Sequence, residues 1–101
     1  MDSPEAEGST VDDAELVIRC QAGDYDAFDE LVTRYRGKIY AMIFNMIRND
    51  ADAWDLAQES FIKAWKALPK FKAQSNFYTW LYRIAHNVTY DWLRKKSNKV
   101  G

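Results

Sequence analysis

The chain is poor in the side chains that build cross-links and metal cages. It contains one cysteine, Cys20, and one histidine, His86, among 101 residues. A single cysteine excludes an internal disulfide, and these two side chains cannot assemble a thiolate-based metal cage. We therefore predict a protein without a bound metal or another cofactor.

Glycine is also scarce, and this bears on catalysis. The four glycines stand isolated at positions 8, 23, 37 and 101, so the chain has no Gly-rich phosphate loop. A Ser-His-acid triad would require His86, which falls on a helix face predicted to meet solvent. The carboxylates are scattered, mostly near predicted helix starts. A metal-dependent or hydrolytic enzyme would depend on His86 or on the carboxylates, and neither is placed for catalysis. The sequence therefore predicts a protein that is not an enzyme.

Long hydrophobic runs are missing. No apolar stretch approaches the roughly 18 to 20 residues that cross a bilayer, and residues 1–13, MDSPEAEGSTVDD, are acidic where a signal peptide is basic and then apolar. The composition of 48% hydrophobic and 29% charged residues is typical of a folded domain. We expect a cytoplasmic protein that does not insert into membranes.

Acidic residues are nearly absent from the C-terminal part of the chain. Residues 60–101 carry 9 Lys/Arg and a single acid, Asp91, whereas residues 1–59 carry 5 Lys/Arg and 14 Asp/Glu. A basic half favours a polyanionic partner, and an acidic half favours a cationic or protein partner. The alternative is that the two halves pair with each other across the fold.

Hydrophobic spacing predicts an all-α fold, because strand alternation and hairpin signals are absent. Helices are predicted over about 13–22, 25–48, 51–68 and 76–96, which gives a compact bundle of three main helices plus a shorter N-terminal helix. Residues 1–12 are expected to form a disordered acidic tail, 13–97 the helical domain and 98–101 a flexible end. Predicted boundary residues are Gly23, Asp24, Pro69 and Ser75, the last as the cap of the fourth helix.

Apolar side chains at steps of three and four residues predict a buried side for each helix, and the long stripe of the second helix is expected to form the backbone of the core. In the third helix the stripe comprises Trp54, Ala57, Phe61, Ala64, Trp65 and Leu68. In the fourth it comprises Phe77, Trp80, Leu81, Ile84, Ala85, Val88 and Trp92. A separate face of the third helix is not needed for the core and is available for a partner; it comprises Asp52, Asp55, Glu59, Ile62 and Lys66. The alternative for its aspartates is capping and compensation of the helix dipole.

Residues 70–80, KFKAQSNFYTW, combine cations, polar amides and four aromatic side chains within eleven positions. Cations at a helix start hold phosphate, and aromatic faces stack on unpaired bases for roughly 1 to 3 kcal/mol per base. This pattern predicts a single-strand binding site. The alternative for Phe71, Phe77 and Trp80 is that they fill the core, which we favour for the last two.

A second candidate surface follows on the outer face of the fourth helix. Arg83, Asn87, Tyr90 and Arg94 recur at steps of three and four, and such side chains reach both phosphates and base edges. Together, the predicted DNA-binding residues are Lys70, Lys72, Gln74, Ser75, Asn76, Tyr78, Thr79, Arg83, Asn87, Tyr90 and Arg94.

Two long stretches resemble a known family. Residues 52–68, DAWDLAQESFIKAWKAL, and residues 75–87, SNFYTWLYRIAHN, are similar in order and spacing to region 2 of extracytoplasmic-function (ECF) sigma factors of bacterial RNA polymerase. Gly23 and Asp24, with the apolar residues after them, resemble the family's opening helices. The resemblance covers about residues 12–97.

The resemblance implies a division of labour between two surfaces. The core RNA polymerase would be bound through the clamp helices of its beta-prime subunit, and residues 70–80 would capture a base flipped from the nontemplate strand of the minus-ten promoter element. An anti-sigma factor is a further expected partner. The polymerase-binding residues implied in this way are Asp52, Asp55, Gln58, Glu59 and Ile62.

The chain departs from the family in two places. Its loop reads Lys-Ala-Gln-Ser where family members often have Gly-Asp before the serine, which affects the identity of the captured base. The sequence also ends at Gly101, before a helix-turn-helix domain for the minus-thirty-five element, so we expect weak promoter binding by this piece alone. The competing hypothesis is a helical interaction module bound by an anti-sigma regulator, without DNA recognition of its own.

Overall fold

The fold is a bundle of α-helices. The computed structural model describes residues 11–72 and 76–100, with side chains up to residue 97. Its helices are α1 (Asp13–Gln21), α2 (Tyr25–Ile47), α3 (Asp50–Ala67) and α4 (Phe77–Val100), and a short 3-10 helix, Leu68–Lys70, follows α3. The predicted bundle with a shorter first helix is confirmed. Residues 1–10 of the predicted tail lie outside the described residues.

The first three helices begin at side chains that cap them. The carboxylates of Asp12 and Asp24 and the amide oxygen of Asn49 each accept the backbone N–H three residues ahead, at 3.1, 3.3 and 2.9 Å. These bonds satisfy N–H groups that have no partner within a helix. Gly23, with φ of +100°, follows the C-terminus of α1 in the left-handed region. Gly23 and Asp24, both predicted as boundary residues, therefore do lie at the end of α1 and the start of α2.

The ends of α4 differ from those predicted. Asn76 caps this helix, because its Oδ1 accepts the N–H of Thr79 at 2.8 Å; Ser75, the predicted cap, lies outside the described residues. Serine and asparagine are similarly good caps, so sequence preference could not separate them. The helix continues to Val100, past the predicted end near residue 96, since no glycine or proline occurs between Asn76 and Gly101.

The core is built where α3 lies between α2 and α4. On α3 the core includes the small residues Ala53, Ala57, Ser60 and Ala64, all less than 4% exposed, together with the larger Leu56 and Phe61. Small side chains allow the neighbouring helices to pack closely. The Ser60 hydroxyl donates to the Leu56 carbonyl oxygen at 2.7 Å, so its burial leaves no unsatisfied polar group. Among the described residues, no helix has the length and apolar character required to cross a membrane.

Trp54 does not belong to the buried stripe predicted for α3. Its side chain is 39% exposed and stacks on Tyr40 of α2, with ring centroids 4.1 Å apart. The buried side of α3 centres on its small residues, with Leu56 and Phe61 beside them, so the tryptophan lies at the edge of the interface. Trp65 is likewise only half-buried, packed against Phe28 with centroids 5.0 Å apart.

Candidate nucleic-acid and protein interfaces

The predicted DNA-binding residues gather at the start of α4 and along its outer face. We call this the strand-binding surface. Lys70 and Lys72 are exposed just before α4, and Tyr78 is half-buried. Gln74 and Ser75 lie outside the described residues. The remaining predicted residues are all exposed: Asn76, Thr79, Arg83, Asn87, Tyr90 and Arg94.

Three aromatic rings support the entrance to this surface. Phe77 is 3% exposed and lies 5.7 Å from Trp80 between ring centroids, and Phe71 lies 4.7 Å from Trp80. Aromatic pairs at these distances add about 0.5 to 1.5 kcal/mol each beyond the area they bury. Phe77 is therefore a core residue, as favoured from the sequence, and the half-buried Phe71 and Trp80 extend the core toward the loop.

Gln21, at the end of α1, fixes the backbone that leads into the loop. Its side-chain Nε2 donates to the carbonyl oxygens of Leu68 and Phe71, each at 3.0 Å. These bonds join α1 to the 3-10 helix and hold the segment that carries Lys70 and Lys72. Sequence reasoning missed this residue, because its partners are 47 and 50 positions away and no local pattern indicates them.

Tyr78, the predicted contact for an unpaired base, is held in a group of aromatic rings. It stacks on Tyr35 of α2 with centroids 4.9 Å apart and planes at 24°, and Tyr82 meets it edge-on at 5.9 Å. The Nζ of Lys38 lies 5.6 Å from the Tyr78 centroid. A ring held in this way loses little further freedom when a base stacks on it.

Tyr35 is itself fixed by α1. Its hydroxyl donates to Oδ2 of Asp13, and Oδ1 of the same carboxylate pairs with Arg34 at 2.9 Å. Burial, followed by the bond to Asp13, raises the pKa of Tyr35 to about 12. No local sequence pattern indicates this link between α1, α2 and the strand-binding surface, since it joins residues 22 positions apart.

Replacing Tyr35 by Phe is expected to lower the free energy of unfolding by about 1 to 2 kcal/mol near neutral pH, because a hydrogen bond to a carboxylate is lost. The raised pKa makes this stabilisation complete below pH 10 and removes it as pH rises through about 12. Urea unfolding at pH 8 and in the alkaline range measures both effects. Tyr82→Phe, at an exposed ring, serves as the control; a constant difference across this pH range would contradict the assignment.

The outer face of α4 carries cations with a single acid beside them. Arg94 donates to Asp91 on the preceding turn, and both side chains are exposed. The rings of His86 and Tyr90 stack with centroids 5.8 Å apart and planes at 21°. His86 is exposed, as predicted. This face therefore offers charge and aromatic surface, with Arg94 partly neutralised by its neighbour.

The predicted polymerase-binding residues share one side of α3, which we call the α3 face. Asp55, Gln58, Glu59 and Ile62 are exposed, Ile62 by 48%. Asp52 is half-buried in the first turn, where a carboxylate also complements the helix dipole. Beside this face, α2 and α3 border an open groove of about 450 Å³ whose lining includes Trp54 and Gln58. A mixed apolar and acidic surface of this kind suits a protein partner with basic side chains.

Groups with catalytic potential are scattered in the described part of the chain. No cluster of three or more His, Cys, Asp or Glu side chains with metal-binding spacing occurs there. Cys20 is 4% exposed, and burial, assisted by Asp24, raises the pKa of its thiol to about 11. Such a thiol is protonated at neutral pH and is a poor nucleophile.

Comparisons with known proteins identify the family to which the chain is similar. The family model for Sigma-70 region 2 matches residues 31–99. The chain is 51% identical over 76 residues to the RNA polymerase sigma-H factor of Pseudomonas aeruginosa, covering 75% of this chain and 39% of that protein. It is 47% identical over 80 residues to the ECF RNA polymerase sigma factor SigW of Bacillus subtilis, covering 79% and 43%. The chain thus spans about two fifths of the length of these relatives.

A solved structure extends the similarity to three dimensions. The solution structure of an engineered region 2 of sigmaE in complex with GTAAAA superimposes with a TM-score of 0.83. The two chains are 37% identical, and the match covers 97% of each. The predicted resemblance to ECF sigma factor region 2 is therefore confirmed over nearly the whole chain.

Proposed function

Because the chain belongs to the Sigma-70 region 2 family, we propose that it acts in transcription initiation as the domain of an ECF sigma factor that binds core RNA polymerase and melts the promoter. In this role the strand-binding surface captures unpaired nontemplate bases of the minus-ten element. Melting then requires only that the domain bind the open strand more tightly than the duplex. Catalysis has no part in this role, and the working compartment is the cytoplasm.

The observation that carries the proposal is the Tyr78 ring, which Tyr35 and Tyr82 hold in place on a surface that also carries exposed cations. Stacking provides sequence-tolerant affinity for bases, and Lys70 and Lys72 supply attraction to phosphates. Asn76 uses its amide oxygen as the cap, which leaves its amide N–H₂ group to donate to a base edge. The related sigmaE region 2 was solved with GTAAAA, a DNA sequence that we take as the first probe.

The α3 face is the proposed site for the clamp helices of the beta-prime subunit. Four of its five residues are exposed on one side of a helix whose opposite side is buried in the core. Asp55 and Glu59 would steer a basic partner, and Ile62 would supply apolar contact. An anti-sigma regulator that covered this face would compete with polymerase.

A binding titration tests the proposed function. Single-stranded GTAAAA, its scrambled counterpart and the GTAAAA duplex are titrated at several salt concentrations, and a clamp-helix fragment is tested by pull-down. We expect preference for the single strand over the duplex and over the scrambled sequence, together with retention of the fragment. Equal binding of the oligonucleotides with retention of the fragment would favour a protein-interaction module. Absence of both the strand preference and the retention of the fragment would contradict the proposal.

Replacing Asp91 by Asn is expected to strengthen single-strand binding about two- to fivefold, because it removes a carboxylate from the basic face and frees Arg94. Stability should change by less than about 0.5 kcal/mol, since the exposed pair contributes little. Titration of GTAAAA at constant salt measures the effect. Asp29→Asn, an exposed acid on α2, is the matched control, and unchanged or weaker binding by Asp91→Asn would exclude Arg94 as a contact.

A further inference from the structure

The segment 31–49, which comprises most of α2 and the two residues after it, is basic, although it belongs to the acidic half of the chain. Residues 31–49 carry four Lys/Arg and no Asp/Glu. Arg36 and Arg48 lie over aromatic rings, and Arg34 forms an ion pair with α1. Lys38 differs from these three because its ammonium lies beside the strand-binding surface. The positive potential of that surface therefore does not end at α4.

Lys38 is exposed, and its Nζ is 5.6 Å from the centroid of the Tyr78 ring. The same ring stacks on Tyr35, which its hydrogen bond to Asp13 holds in place. The ammonium thus lies over the aromatic ring proposed to receive a base. A lysine has three donors on a flexible stem, so it can leave the ring and reach a nearby phosphate without reorganising the backbone.

On the basis of the proposed function, we propose that Lys38 binds a phosphate of the unpaired strand and that the strand-binding surface extends from α4 onto α2. The ligand is the phosphodiester next to the base that stacks at Tyr78. Tyr35 acts as the positioning residue, because it keeps the Tyr78 ring beside the lysine. The site therefore combines an aromatic platform from one helix with a cation from another.

The salt dependence of binding tests this proposal. Lys38→Gln and Arg36→Gln each remove one exposed charge from α2, and each cation lies 5.6 Å from an aromatic ring. Arg36 lies over Trp54 of α3 instead of Tyr78, so it is the matched control. For single-stranded GTAAAA, Lys38→Gln should make the slope of log affinity against log salt shallower by about 0.7, the value for one phosphate contact on a single strand.

The remaining outcomes separate this inference from the proposed function. Lys38→Gln should weaken binding of GTAAAA and of its scrambled counterpart by similar factors, since a phosphate contact carries no sequence information. Lys38→Arg should restore the slope, and Arg36→Gln should leave it unchanged. If the unaltered chain prefers GTAAAA but Lys38→Gln has the same slope as the unaltered chain, only the Lys38 contact is overturned. If the unaltered chain does not bind the strand, the proposed function fails as well.

Discussion

Replacing Glu59 by Lys is expected to weaken binding of the beta-prime clamp helices at least about 100-fold, because it opposes like charges at a site proposed for a basic partner. Glu59 is exposed near the middle of the α3 face, on the side of the helix opposite to the buried Ala53 and Ala57. The fold should tolerate the change, since the side chain has no structural role in the core. Calorimetric or fluorescence titration with a clamp-helix fragment measures the loss.

The matched control for this substitution is Asp29→Lys. Asp29 is an exposed acid on α2, and its replacement changes the net charge by the same amount. The control should keep most of the affinity for the fragment, and both variants should keep their affinity for single-stranded GTAAAA. If Asp29→Lys and Glu59→Lys lost equal affinity, the effect would come from net charge and the α3 face would not be the binding site.

Replacing Leu81 by Ala is expected to lower the free energy of unfolding by about 2 to 5 kcal/mol, because it leaves a cavity in the core. Leu81 has no exposed surface and lies on the inner side of α4. In a domain of this size, each kcal/mol corresponds to about 4 to 8 °C in the melting temperature. Thermal unfolding followed by circular dichroism should therefore show a melting temperature lower by at least about 8 °C.

Ile62→Ala provides the contrast to this core substitution. Ile62 is 48% exposed on the α3 face, so truncation should cost less than about 0.5 kcal/mol of stability while weakening clamp-helix binding. Comparing the stability and the clamp-helix binding of the two variants distinguishes a core residue from an interface residue. A large loss of stability from Ile62→Ala, or a negligible one from Leu81→Ala, would contradict the packing described for α3 and α4.

Much of the fold could be predicted because local signals agreed with one another. The three- and four-residue spacing of apolar side chains predicted the four helices, and Gly23 and Asp24 indicated the boundary between the first two. The error at Trp54 has a physical cause. A hydrophobic pattern gives most weight to large side chains, whereas four of the six buried residues of α3 are three alanines and Ser60, which are small enough for close helix packing.

The candidate interfaces were only partly predictable. Exposure of Arg83, Asn87 and Glu59 followed from helical periodicity, since each lies away from an apolar stripe. The bonds from Gln21 to the loop backbone, and from Tyr35 to Asp13, join distant parts of the chain and leave no periodic signal.

The basic segment of α2 was missed for a different reason. When charge is counted over residues 1–59, the positive charges of Lys38 and the three arginines of the same segment are outweighed by the aspartates and glutamates before and after them. A shorter window isolates residues 31–49, which contain no acid. Charge patterns therefore predict an interface only when the window matches the length of the helix segment that presents it.

The most direct test of the central claim is to map the backbone amide resonances of the chain during titration with single-stranded GTAAAA. We expect the shifts to be concentrated in residues 70–80 and at Lys38, Arg83 and Asn87, with the amides of residues 55–62 unaffected. Addition of a clamp-helix fragment should then shift residues 55–62 while the strand stays bound. Shifts from the oligonucleotide that centre on residues 55–62, or that do not involve residues 70–80, would contradict the assignment of one surface to DNA and the other to protein.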